Sequence, residues 1–183
     1  MRNYKMSDTY QIENNAIDGE DNMGSLYHSN AQIKIGGLLD QEGRFFVATE
    51  LSLDISQQDI SEYRLDAKDE LKPDICAYVE APVVPSKEDD IVKVSKMPDL
   101  AIEILSPRQA VNYLIRKIKA YFELGVKSCW LVMPSLYEVR VFSQPHSYKT
   151  FDIQRNTDII DDIMNINLPI DKVFVRYKTI VIK

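Results

Sequence analysis

Residues 98–107 read Pro-Asp-Leu-Ala-Ile-Glu-Ile-Leu-Ser-Pro. Leu100, Ala101, Ile102, Ile104 and Leu105 form a short apolar run bounded by prolines, the pattern of a strand covered on both faces. Glu103 stands in the middle of that run. An isolated carboxylate in such a place is very costly, so it must be neutralised, paired or bound to a metal.

Outward from this strand, Ala110 to Leu124 has helical periodicity and ends at Gly125, a residue suited to a left-handed cap. Ser128 to Met133 reads as the next strand, paired with Glu138 to Phe142 around a turn at Pro134–Tyr137. A strand–helix–strand crossover implies a parallel pair, hence a mixed sheet with a helix on its face. Upstream, Ser25 to Leu39 predicts a helix with Tyr27, Ala31, Ile35, Leu38 and Leu39 on one side; Gly36 and Gly37 weaken it but would allow close packing. Alternation over Phe45 to Leu53 predicts one half-buried strand, and Pro73 to Val79 a second. Residues 80–97, with Pro82, Pro85 and the acidic run Glu88–Asp90, predict a long exposed loop. After Ser143 come a polar connection, then Ile159–Pro169 and a last apolar segment, Val173 to Ile182. The expected fold is α/β, one domain over residues 25–183 preceded by an irregular extension, 1–24.

No apolar run reaches the roughly 18 residues of a membrane span, and the polar start lacks the apolar core of a secretory signal. Cys76 and Cys129 are two lone cysteines in strand-like segments and only two histidines occur, so no zinc spacing is available. A cytoplasmic setting is expected. The formal charge of −6 argues at first against a polyanionic partner, but its distribution is uneven. Residues 1–100 carry 10 basic and 20 acidic residues, residues 101–183 carry 12 and 8. Arg108, Arg116, Lys117, Lys119 and Lys127 cluster with a single acid, Glu123. Either a surface beside a metal and phosphate site or an ordinary solvated helix face fits this charge.

On the helical wheel of Ala110–Leu124, Asn112, Arg116, Lys119 and Glu123 share the polar side, whereas Lys117 falls in the apolar arc near Tyr121 and Leu124. A lysine facing the core wants a carboxylate, though its stem can also pack while its ammonium reaches water. Two Pro-Asp pairs offer partners, Pro73-Asp74 and Pro98-Asp99. Asp99 and Glu103 on one strand face lie about 13 Å apart, too far to share an ion. Asp74 is on the preceding strand, and antiparallel pairing across the 80–97 loop would bring it beside Glu103 at about 4.8 Å between strands, the right scale for two carboxylates on one Mg²⁺. Asp99 is then a strand-entry residue. Trp130 and Tyr121 read as core aromatics, and Glu50 as a solvated residue on the polar face of its strand.

Lys72-Pro73-Asp74, the stretch Pro98–Pro107, Lys117-x3-Tyr121-x3-Gly125-Val126 and Trp130-Leu131-Val132 together resemble the Uma-type restriction-endonuclease-like family, of the PD-(D/E)xK nuclease superfamily, from about Asp18 to Val175. The resemblance implies a restriction-endonuclease-like mixed sheet flanked by helices. It implies Asp74 and Glu103 as metal ligands for Mg²⁺, with Mn²⁺ as a substitute. Leu105 stands where the motif's lysine is usual, and Lys117 replaces it. Arg108, Gln109 and Tyr113 stand where the family often has Ser or Thr and then Asp, and Met133-Pro134 replaces the usual Asp-Pro. His28, on the first helix, is placed to contact metal or phosphate, or to be a satisfied core histidine. The expectation is a metal-dependent DNA endonuclease, a homodimer, with Asp74, Glu103, Lys117 and His28 as site residues. The alternative is a non-catalytic nucleic-acid-binding or regulatory protein that retains the fold.

Overall fold

In the computed structural model, described for residues 24–86 and 90–174, the chain opens with α1 (Leu26–Gln41), β1 (Phe46–Thr49) and β2 (Ser52–Asp54). A 3₁₀ turn (Ser61–Tyr63) precedes β3 (Glu70–Leu71), β4 (Ile75–Tyr78), β5 (Lys93–Val94) and β6 (Leu100–Ile104). There follow α2 (Val111–Glu123), β7 (Ser128–Met133), β8 (Glu138–Gln144), β9 (Ser147–Asp152), β10 (Asp158–Asp161), β11 (Ile166–Pro169) and α3 (Ile170–Val173). The expected irregular extension, most of the run Glu88–Asp90 and the segment after Phe174 lie outside the described residues.

The main sheet has the order β1-β4-β6-β7-β8-β9, with β6 and β7 parallel and the other neighbours antiparallel. This is the mixed sheet expected from the α2 crossover. All residues of β6 and β7 are buried, because both faces of the sheet are covered. Side chains alternate across a strand. Leu100, Ile102 and Ile104 therefore pack with Ala31, Ile35 and Leu39 of α1 and with the β10–β11 hairpin. Ala101 packs on the other face with Leu114, Ile118 and Tyr121 of α2. Glu103 shares that second face by the same alternation. A small sheet, β3-β2-β5, adds Leu53 and Leu71 to the α2 side.

Three local expectations change. The single strand over Phe45–Leu53 is two, broken where Glu50 takes φ +53°, and its halves join different sheets. The 80–97 loop contains β5, which pairs in parallel with β2. The connection after Ser143 contains β9, an edge strand with Ser147 to Thr150 exposed. Gly36 and Gly37 serve no close approach, since a Cβ at either would meet nothing within 4 Å. Gly125, at φ +92°, ends α2 as the sequence predicts.

Candidate active site

Continuing the β4–β6 register by one pair beyond Ile75↔Ile102 sets Asp74 opposite Glu103. The Asp74 carboxylate turns past the end of β4, and its Oδ2 accepts the Ile104 N–H at 2.5 Å. Its Oδ1 lies 3.1 Å from His28 Nε2. His28 is carried on the first turn of α1, which starts at Ser25 because that hydroxyl accepts the His28 N–H at 3.3 Å, an N-cap. Burial opposes a charged imidazole. The hydrogen bond to Asp74 and the charges of Asp74, Glu50 and Glu103 outweigh it and raise the His28 pKa above 6.5. His28 Nδ1 is buried without a hydrogen-bond partner among the described residues.

Glu103 and Lys117 are 2% and 3% exposed, and the pair is closed. Lys117 Nζ lies 2.9 Å from Glu103 Oε1 and 3.0 Å from Oε2, and donates to the Lys72 carbonyl at 3.0 Å. The alternative in which the Lys117 ammonium reaches water is excluded by this burial. The Tyr121 hydroxyl, one helical turn beyond Lys117, donates to Glu103 Oε1 at 2.6 Å. Burial beside Glu103 raises the Tyr121 pKa well above 10, so the phenol is held as a donor. Burial pushes the Glu103 carboxyl up to about 7; the neighbouring Asp74 charge adds to this, while Lys117 and Tyr121 pull it down.

These groups line a polar cavity of about 310 Å³ that also receives Gln32, Glu50, Ser106 and Gln109. All four residues named from sequence (Asp74, Glu103, Lys117 and His28) are brought together here. Asp99 stands apart at the entry of β6, paired with Lys127 at 2.7 Å and accepting the Val79 N–H at 2.7 Å. The alternation of residues 45–53 predicts a solvated Glu50. It is exposed, but it belongs to the site: Gln32 Nε2 donates to Glu50 Oε1 at 2.8 Å and to the Asp74 carbonyl at 2.9 Å. The Glu50 N–H also bonds to the Asp74 carbonyl, at 3.3 Å. Gln32 follows His28 by four residues and Tyr121 follows Lys117 by four, so helical spacing carried a signal for both. Nothing in the alternation of residues 45–53 pointed to the turn at Glu50.

The donor set suits a hard cation. A carboxylate offers about four lone-pair positions. One on Asp74 Oδ1 and one on Oδ2 are taken, and Glu103 Oε2 keeps a position beside its contact with Lys117. Among the described residues no group of three or more His, Cys, Asp or Glu side chains is arranged to hold a metal ion. Two carboxylates alone match Mg²⁺, which keeps waters and substrate phosphate oxygens as its other ligands. His28 Nε2 is engaged by Asp74 Oδ1, so it reaches the site through that carboxylate.

Residues 14–170 match the model of the Uma2 family, described as "Putative restriction endonuclease". No curated protein matches the chain. Among solved structures, a "putative nuclease belonging to DUF820" from Anabaena variabilis superposes with a TM-score of 0.65 at 20% identity, over 83% of this chain and 82% of that one. That likeness supports the mixed-sheet fold. No helix among the described residues is long and apolar enough to cross a membrane. By the extent of the family match, the chain belongs to the Uma2 family.

Proposed function

We propose that this Uma2 family member hydrolyses phosphodiester bonds of DNA with Mg²⁺ or Mn²⁺ held by Asp74 and Glu103. The observation that carries the reading is the opposition of these two carboxylates in one polar cavity, with the buried Lys117 ammonium bonded to Glu103. The ion, when bound, polarises a phosphoryl oxygen and makes water more acidic. Lys117 and Tyr121 favour the ionised form of Glu103 and fix its direction, and the Lys117 charge lies where negative charge develops on phosphate. His28 orients Asp74 through Oδ1 and adds positive charge for a phosphate oxygen.

The test is cleavage of plasmid DNA with Mg²⁺ or Mn²⁺ by wild type, Glu103→Gln and Lys117→Ala, with Mn²⁺ calorimetry on the same proteins. Wild type is expected to cleave, and Glu103→Gln to lose both cleavage and Mn²⁺ binding. Wild type that binds no metal and cuts no nucleic acid overturns the reading.

A further inference from the structure

We propose that the outer face of α2 carries a second nucleic-acid contact, a basic groove that takes phosphodiester backbone outside the cleavage cavity. The groove, about 620 Å³ and open to solvent, is lined by Tyr63 and Arg64 of the 3₁₀ turn, Arg116 and Lys119 of α2, and His146 of the β8–β9 turn. Glu62 lines it too. Glu123, one turn beyond Lys119, is exposed nearby.

Other surface cations are either paired with a carboxylate or, like Lys34, Lys68, Arg108 and Lys172, stand outside this groove. Arg44, Lys93, Lys96, Lys127, Arg140, Lys149 and Arg155 each lie within 4 Å of a carboxylate. Among the described residues, Arg64 and Lys119 form no ion pair, although acids outnumber bases 28 to 22 in the chain. They converge from two chain segments on one groove, where Arg116 sets its guanidinium 5.6 Å from the centre of the Tyr113 ring. Arg64 is held at the left-handed cap of the 3₁₀ turn, φ +49°, so its backbone is fixed. Flexible cations on a fixed scaffold, with an arginine plane among them, suit phosphate oxygens more than one small anion.

The groove also has the right place. Lys119 lies two residues beyond Lys117, about 200° around the same helix, so it faces away from the cavity that Lys117 enters. A strand crossing α2 would travel on the order of 10 Å, about three nucleotides at 3.4 Å each. An acidic chain thereby gains a local anchor for a polyanion.

The class of ligand rests on the nuclease reading, and the experiment separates the two. Anisotropy of a labelled duplex of about 30 base pairs is followed in EDTA between about 50 and 200 mM salt, for wild type and for Arg64→Asn/Lys119→Gln. Asparagine tolerates the left-handed backbone and glutamine suits the helix, so the thermal midpoint should not move. The double variant is expected to bind at least about tenfold more weakly at low salt, with the salt slope reduced by about 1.8, or 0.9 for each lost phosphate contact. Lys149→Gln/Arg155→Gln, whose cations are already paired, serves as control and should bind as wild type does. A wild type that does not bind, or a double variant no weaker than the control, overturns the groove. Wild type that binds by this groove and never cleaves sinks the nuclease reading alone; cleavage with unchanged binding in the double variant sinks the groove alone.

Discussion

Replacing Lys117 by methionine tests whether the buried pair at the heart of the site exists in solution. Methionine keeps most of the stem volume, so the loss is chiefly the ammonium. Glu103, 2% exposed, would retain only the Tyr121 hydroxyl and should escape its buried charge by taking a proton. An ordinary glutamate carboxyl titrates near 4.5. The wild-type carboxyl, pushed up to about 7, ionises above that value beside Lys117 while the variant's stays protonated, so the variant's deficit grows by about 1.36 kcal/mol per pH unit above 7. The sign follows from proton counting. The folded variant binds a proton that the unfolded chain has released, so its stability falls as pH rises above 4.5. Its deficit against wild type should therefore be small below pH 7 and reach about 2.7 kcal/mol at pH 9. Adding Glu103→Gln removes the charge altogether, and the double variant should recover to within about 1 kcal/mol of wild type at pH 9. Urea unfolding in EDTA, followed by the fluorescence of Trp130, the chain's one tryptophan, reads all three proteins. A Lys117→Met deficit under about 1 kcal/mol at pH 9, or one independent of pH, would refute the pairing.

Four further outcomes follow from the same geometry. Tyr121→Phe deletes a 2.6 Å hydrogen bond to a charged group and should cost about 1.5–3 kcal/mol in urea unfolding; a neutral result would mean that the hydroxyl is not bonded to Glu103. Asp161→Ala strands two buried donors, the Trp130 indole N–H and the Met164 N–H, while the Ser128 hydroxyl can turn to the Phe142 carbonyl, so at least about 2 kcal/mol should be lost, with a shift in Trp130 emission. Gly37→Ala should stabilise by about 0.5–1 kcal/mol, because the added methyl meets nothing within 4 Å; destabilisation would reveal a contact at that face. Burial acts to raise the Asp99 carboxyl, but Lys127, the Val79 N–H and Lys96 overcome it and hold it below 3.8. Its stabilisation is present above 3.8 and lost as pH falls through the lower folded value, so the gap between wild type and Asp99→Asn should close in acid unfolding; a constant gap would contradict the assignment.

The sheet and three of its partners were legible because they obey period and sign. The run 98–107 needed two covered faces, the α2 wheel turned Lys117 inward, and the strand spacing selected Asp74 over Asp99. The less legible parts share a physical reason. β3 and β5 are two residues long, too short for any alternation to show. β9 lies at the sheet edge with four successive exposed residues, so its hydrogen bonds are made without a hydrophobic signature. Glu50 takes a left-handed backbone without being glycine, asparagine or aspartate, and its conformation is fixed by contacts from distant residues, Gln32 and Asp74. Such a turn cannot be read from residues 45–53.

The Pro-Asp step itself has a structural meaning that ties the fold to the site. By the β4–β6 register, Pro73 falls opposite Ile104. Proline has no N–H to give the Ile104 carbonyl, and β4 pairing begins only at Ile75, so the ladder stops short of this pair. β6 nonetheless continues to Ile104, whose N–H points to the β4 side because the next one, of Leu105, bonds to Val132 in β7 at 2.8 Å. A buried N–H without an acceptor would be costly, and the Asp74 carboxylate supplies one. The same carboxylate then presents its other oxygen to His28 and the cavity. Asp74 is thus a cap on the interrupted ladder as well as a site acid. Removing it by alanine would conflate a lost acceptor with a lost charge. Asparagine keeps an oxygen for the Ile104 N–H while deleting the charge, so Asp74→Asn is the substitution that isolates chemistry from fold.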